Sequence, residues 1–148
     1  MSDLNPLQTT THLMVKVTKA HRALVCNALK DVNLYIGQEL LLMELWQEDG
    51  MTQTELAERL CIEPPTLTKM LSRLEKTALL EKRRDLEDKR ICRIFLTEKG
   101  YDFREPITQL WLELEEIILD NLSIEERLLF RRLLMQIHSN LEAAKIPK

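Results

Sequence analysis

Apolar residues recur at helical spacing along most of this chain, and the spacing changes only between residues 79 and 96. Over residues 8–32, Leu13, Val17, Ala20, Leu24 and Ala28 form one stripe, and Met14, Val25, Leu29 and Val32 form a second. Two stripes on one helix predict burial on more than one side. Asn33 marks the end of this helix, and Gly37 interrupts soon after. From 38 to 48 the apolar residues are nearly continuous (Leu40, Leu41, Leu42, Met43, Leu45, Trp46), which predicts a helix buried almost all round, stopped by Glu48-Asp49-Gly50.

Met51 precedes Thr52-Gln53-Thr54-Glu55, the pattern of a capping box: the threonine hydroxyl accepts from the Glu55 N–H, and the Glu55 carboxylate reaches back. Leu56, Ala57 and Leu60 give that short helix an inner face. Cys61-Ile62-Glu63 is a turn, and Pro64-Pro65 suits a first helical turn whose N–H groups lack partners. The next helix, 64–76, buries Leu67, Met70, Leu71 and Leu74 and leaves Thr66, Thr68, Lys69, Ser72 and Arg73 outward. Period-two alternation then predicts strands at 79–84 and 91–96, joined by a charged turn. Residues 98–120 read as a second long helix (Phe103, Ile107, Leu110, Trp111, Leu114, Ile117, Ile118), with Pro106 either kinking it or moving its start later. Ser123-Ile124-Glu125-Glu126 is another capping box, opening a last helix with Leu129, Phe130, Leu133, Leu134, Ile137 and Leu141. The fold class is therefore mainly α with a small β-hairpin wing. A short helix, a turn, a second helix and a basic hairpin make a winged helix-turn-helix, which reads the DNA major groove and reaches an adjacent groove with the hairpin.

Composition changes this picture little and charge changes it more. A chain of 148 residues fits a single subunit, and three glycines with five prolines favour helix over a many-turned β fold. The net charge of -3 alone speaks weakly against a nucleic-acid partner. Yet Lys69–Arg93 holds nine basic residues against five acidic ones, a local +4, so the rest of the chain carries -7. Screening confines charge attraction to about 8 Å at physiological salt, so the local value sets the attraction for phosphate. Cys26, Cys61 and Cys92 are sparse, odd in number and form no C-x-x-C pair, which is not a disulfide framework. The first residues lack a basic segment followed by an apolar run, and no stretch approaches about 18 uninterrupted apolar residues. The expectation is a cytoplasmic protein with no membrane span. His12, His21 and His138 show no convergence that would hold a metal, so neither a metal nor another cofactor is expected. No nucleophile with a nearby base and no glycine-rich phosphate loop is present, which argues against an enzyme.

The candidate residues sort by the part of DNA each can reach. Thr66, Thr68 and Lys69, flanked by Pro65 and Ser72, open the second helix and can meet base edges or adjacent phosphates. A threonine donates, accepts or offers its methyl to thymine, and a lysine reaches guanine acceptors. Arg73 and Lys76 suit phosphate contacts, which fix register without reading sequence. Arg90 suits a narrow A·T-rich minor groove, where negative potential is concentrated. Asp88, two residues away, can orient it through a charge-assisted hydrogen bond. Arg83, Arg84 and Lys89 supply charge toward the DNA backbone.

Several of these runs resemble the MarR family of bacterial transcription regulators. They are Leu56-Ala57-Glu58-Arg59-Leu60, Pro65-Thr66-Leu67-Thr68-Lys69, Arg73-Leu74-Glu75, the wing Asp85-x-x-Asp88-Lys89-Arg90, and Phe95-Leu96-Thr97-Glu98-Lys99-Gly100. They cover about a third of the chain in the family's order, and the long helices at both ends extend the likeness over its length. The resemblance implies an obligate homodimer held by helices within 1–34 and 103–148, each subunit carrying a winged helix-turn-helix over 35–102. It also implies a sequence-specific regulator of double-stranded DNA, most often a repressor. A small aromatic or lipophilic effector would sit in a cleft between dimerisation helices and DNA-binding lobe, near Tyr35, Trp46 and Trp111. Two positions depart from the family pattern: Cys61 stands where a small residue such as glycine is usual, and Thr77-Ala78 replaces the glycine that ends the recognition helix. A cysteine in that turn keeps a thiol-redox-responsive regulator in view. A winged-helix protein-interaction module without DNA binding is the other alternative, against which the +4 segment speaks.

Overall fold

A computed structural model of the chain describes residues 5–144. After a 3-10 turn at Pro6–Gln8 come α1 (Thr10–Lys30), α2 (Gln38–Gln47), β1 (Met51–Thr52), α3 (Gln53–Leu60) and α4 (Pro64–Lys76). The strands β2 (Leu80–Arg84) and β3 (Cys92–Leu96) follow, then α5 (Glu98–Asp102), α6 (Arg104–Ile118) and α7 (Ile124–Ala143). The chain divides into two compact units after Leu110. The segments 1–34 and 103–148, expected to hold the dimerisation helices, extend past the described residues at both ends.

In the first unit, local chemistry sets where each helix begins. The Thr9 hydroxyl accepts from the His12 N–H at 3.2 Å and starts α1. The capping box at α3 is complete: the Thr52 N–H donates to Glu55 at 2.8 Å, and the Glu55 N–H donates to the Thr52 hydroxyl at 3.2 Å. The contact with the Thr52 N–H, then that with its hydroxyl, holds the Glu55 carboxyl below its usual range. α4 opens on its two prolines and turns Leu67, Leu71 and Leu74 inward. Leu41, Leu42 and Leu45 of α2, Leu56 of α3 and Ile94 of β3 are buried as completely, at about 1% exposure or less.

Three departures from the sequence reading have identifiable causes. First, the sheet has three strands, in the order β1-β3-β2 and antiparallel throughout. Met51 pairs with Ile94 and Thr52 with Arg93, and a two-residue strand is too short to show alternation. Second, 98–120 is not one helix but α5 and α6, broken at Phe103. A proline at 106 has no N–H for the Asp102 carbonyl, and its ring crowds that carbonyl. It fits instead as the third residue of α6, where N–H groups have no intrahelical partner. Third, α2 is not apolar-buried all round. Leu40 is exposed while Gln38 and Glu39 are buried. Gln38 has work there, accepting from the Tyr35 N–H at 2.9 Å. Burial pushes the Glu39 carboxyl above its usual range, opposed by the N–H groups of Glu39 and Gly37 and by the charge of Arg22. One Glu39 oxygen has no hydrogen-bond partner among the described residues.

Gly100 shows why the Leu-Thr-x-x-Gly segment needs its glycine. A Cβ there would lie 2.1 Å from the Leu79 carbonyl oxygen, so only glycine lets α5 rest against the start of β2. The Gly100 carbonyl also accepts from the Trp46 indole N–H at 3.0 Å. Asp49 ties the same region together, accepting from the N–H groups of Gly50 and Leu96 at 3.1 and 2.9 Å and from the Tyr101 hydroxyl at 2.7 Å.

The two stripes of α1 part company. Val25 and Leu29 are buried, but Leu13 and Val17 are 60% and 55% exposed. In the second unit α7 begins on a complete Ser123–Glu126 capping box. None of its described side chains is buried, and Ile124, Leu128, Leu129, Leu133, Leu134 and Met135 stand exposed. Among the described residues no helix is long and apolar enough to cross a membrane.

Candidate nucleic-acid interface

The helix expected to read DNA, 64–76, is α4, with its bounds where the sequence placed them. With Leu67, Leu71 and Leu74 inside, the spacing of 3.6 residues per turn forces Pro65, Thr66, Thr68, Lys69, Arg73 and Lys76 to the exposed side. Ser72 is half-buried at the edge of that face. The Thr68 hydroxyl donates to the Pro64 carbonyl at 3.0 Å, which leaves its oxygen able to accept. An open groove of about 460 Å3 lies along the junction of α3 and α4, with Gln53, Thr54, Ala57, Glu58, Leu67 and Thr68 among its walls.

Two sharp backbone turns bracket this helix. Cys61 ends α3 with φ +52°, and Ala78 follows α4 with φ +59°. Both lie in the left-handed region, which penalises a Cβ and explains why glycine suits each position. The Cys61 thiol is exposed; Cys26 and Cys92 are half-buried.

Beyond β2 the wing is an ordered loop. The Asp85 N–H donates to the Ile91 carbonyl and the Ile91 N–H to the Asp88 carbonyl, both at 2.9 Å. One Asp85 carboxylate oxygen accepts from the N–H groups of Glu87 and Asp88 at 3.1 and 3.0 Å. The other accepts from Arg93 Nε at 2.7 Å. Arg93 in turn donates through Nη1 to the Gly50 carbonyl at 3.0 Å, fastening the loop to the strand beside it. The Arg93 contact, first, and the Asp88 N–H hold the Asp85 carboxyl below its usual range. Sequence reasoning counted Arg93 only as charge and missed this clamp. The signal was diagonal across the hairpin: Asp85 lies one position beyond the Arg84–Cys92 pair, and Arg93 lies one position before it, opposite Arg83.

The expected wing residues fall into two groups. Asp88 does orient Arg90: its carboxylate accepts from the Arg90 Nε at 3.2 Å and from the Arg90 N–H at 3.0 Å, while the Arg90 side chain is 93% exposed. Lys89 is exposed beside it. Arg84 and Arg83 are partly committed within the hairpin. Arg84 donates to the Lys89 carbonyl at 2.7 Å, and Arg83 pairs with Glu81 and lies over the Phe95 ring, 4.6 Å from its centre.

The three aromatic candidates for an effector contact are not alike. Tyr35 is exposed, and the Arg73 guanidinium sits over its ring at 4.9 Å, so this residue couples to α4. Trp46 is half-buried and pinned to Gly100 through its indole N–H. Trp111 belongs to the second unit, is half-buried, and its indole N–H has no hydrogen-bond partner among the described residues.

A capped helix, a turn, a helix with an exposed polar and cationic face and a clamped basic hairpin together define a winged helix-turn-helix. The sequence profile of the MarR family matches residues 34–92, which takes in α2 through the wing, so this segment is a MarR-family domain. It is 32% identical to the HTH-type transcriptional regulator TtmR of Methylorubrum extorquens (strain PA1), over 71% of this chain and 57% of that protein. It is 34% identical to the organic hydroperoxide resistance transcriptional regulator of Bacillus subtilis (strain 168), over 61% of this chain and 58% of that one. The match thus spans little more than half the length of either relative. Among solved structures, the S. aureus MepR–DNA complex has a TM-score of 0.78 with 26% identity, covering 93% of this chain and 99% of MepR. These relatives and neighbours are transcription regulators, not enzymes.

Proposed function

We propose that this protein is a homodimeric, sequence-specific DNA-binding regulator, acting as a repressor on a pseudo-palindromic operator and released by a small aromatic or lipophilic effector. The observation that carries the reading is the division of α4. Its leucines are sealed inside while Thr66, Thr68 and Lys69 stand free at its N-terminal half, beside a hairpin that presents Arg90 to solvent. In this reading Thr66, Thr68 and Lys69 meet base edges, Pro65 and Ser72 flank them, and Arg73 and Lys76 grip phosphate. Arg90, oriented by Asp88, enters the minor groove, with Arg83, Arg84 and Lys89 adding charge along the backbone. The MepR neighbour was solved with DNA, which supports a DNA partner for this fold.

Pairing rests on the exposed apolar faces of α1 and α7, which a second copy would cover. Two α4 helices related by a two-fold axis would then meet half-sites about 10 bp apart. Release by an effector follows from Tyr35: a ligand that takes its ring displaces Arg73, a phosphate-facing group of the same lobe.

The test is enrichment of genomic fragments on the purified full-length protein, followed by band-shift titration of a recovered duplex. Affinity is expected to fall steeply with salt, because each neutralised phosphate releases counterions, and Arg90→Ala is expected to weaken binding. Failure to retain any fragment at low salt would instead favour a protein-interaction module.

A further inference from the structure

The wing carries a second feature that the charge-based reading does not use. Leu86 is 98% exposed, the highest value among the large apolar side chains of the described residues. It sits in a loop made rigid by the turn around Asp85 and by the Asp85–Arg93–Gly50 clamp. A leucine on a mobile loop can fold back onto the surface, but one on a clamped tip is held in water. Within Lys82–Arg90 it is also the sole apolar residue, in a run of five basic and three acidic neighbours. Two of those carboxylates, Asp85 and Asp88, are engaged by Arg93 and Arg90.

We infer that Leu86 is an apolar contact to the minor groove, seated against the deoxyribose walls or a base step beside the site of Arg90. This rests on the proposed reading of the wing. A protein-docking site would be expected to offer a contiguous apolar patch, whereas a lone leucine ringed by cations matches a groove whose walls are sugar C–H groups edged by phosphates. Apolar side chains, leucine among them, serve as wedges in minor-groove recognition. The contact adds affinity that salt does not screen, in contrast to the arginine beside it.

The experiment compares wild type, Leu86→Ala, Leu86→Met and Arg90→Ala by band shift across a salt series, using a duplex selected from a random library on the full-length wild-type protein. An exposed side chain can be changed without disturbing the core, so folding is not at issue. Leu86→Ala should weaken binding by about five- to tenfold at every salt concentration and leave the slope of log K against log salt unchanged. Leu86→Met should bind within about twofold of wild type, since it restores apolar contact. Arg90→Ala should lower both the affinity and the slope, the latter by about 0.9. If Leu86→Ala binds like wild type while Arg90→Ala is weakened, the inference fails and the wing reading stands. If neither variant is weakened, the wing reading fails. A changed salt slope, or altered self-association, in Leu86→Ala would likewise overturn a direct apolar contact.

Discussion

Leucines in α4 and in α7 recur at the same helical spacing and meet opposite fates. Leu67, Leu71 and Leu74 of α4 are sealed to within about 1% exposure, whereas Leu128, Leu129, Leu133 and Leu134 of α7 stand in solvent. The difference lies in what surrounds each helix. α4 packs on α3 and on β2, so its apolar face closes a core within one chain. α7 carries leucines at the same spacing that the described residues leave exposed. Periodicity therefore states that a face seeks a partner and says nothing about whether that partner is in the same molecule. In the winged region the answer is internal; for α7, and for Leu13 and Val17 of α1, we propose that it is a second copy.

The largest effect expected on either side of that comparison comes from charging α7. The double variant Leu129→Glu, Leu133→Glu should sediment as a monomer and lose operator affinity by about 100-fold or more, because burying unpaired carboxylates costs on the order of 3 kcal/mol. A variant that still pairs would place the dimer interface elsewhere.

On the α4 side, Leu71→Ala should lower unfolding stability by about 2–5 kcal/mol, since it opens a cavity in a closed core. A denaturant titration showing less than about 1 kcal/mol would mean that this lobe is not packed as described.

The turns flanking α4 offer a smaller change of opposite sign. Ala78→Gly and Cys61→Gly each remove a Cβ from a left-handed backbone, which should raise stability by about 0.5–1 kcal/mol after the greater unfolded-state freedom of glycine is deducted. Thermal melts of the two variants check this, and an unchanged or lower midpoint contradicts it.

The smallest effect concerns pH. The native Glu39 carboxyl titrates above its ordinary range because burial disfavours its charge. A raised native pKa means stability that is complete below the unfolded value, about 4.3, and lost as pH rises through the native one. Glu39→Gln should therefore stabilise the protein at pH 7 and make little difference below about pH 4. Asp85 works in the opposite sense: Arg93 holds its pKa down, so its contribution is present at neutral pH and disappears in acid. Paired urea titrations of wild type and Glu39→Gln at both pH values test the sign.

The sequence showed α3, its turn and α4 plainly because they rest on local chemistry: a capping box, a proline pair and leucines at 3.6-residue spacing. The orientation of Arg90 by Asp88 was legible for the same reason, being a contact over two residues. β1, the Asp85–Arg93–Gly50 clamp and the burial of Glu39 were not. Each depends on residues brought together from distant parts of the chain, Arg93 and Gly50 being 43 positions apart. The break at Phe103 falls between these cases. Pro106 announced it, but only the structure fixed which of its two outcomes, a kink or a later start, applied.

The central claim is that one chain presents α4 and the wing to DNA while α1 and α7 bring a second copy. Sedimentation of the full-length protein with a selected duplex, paired with hydroxyl-radical footprinting of the same complex, tests it most directly. The account predicts two chains per duplex and two protected half-sites centred about 10 bp apart. One chain per duplex with a single protected patch would contradict it.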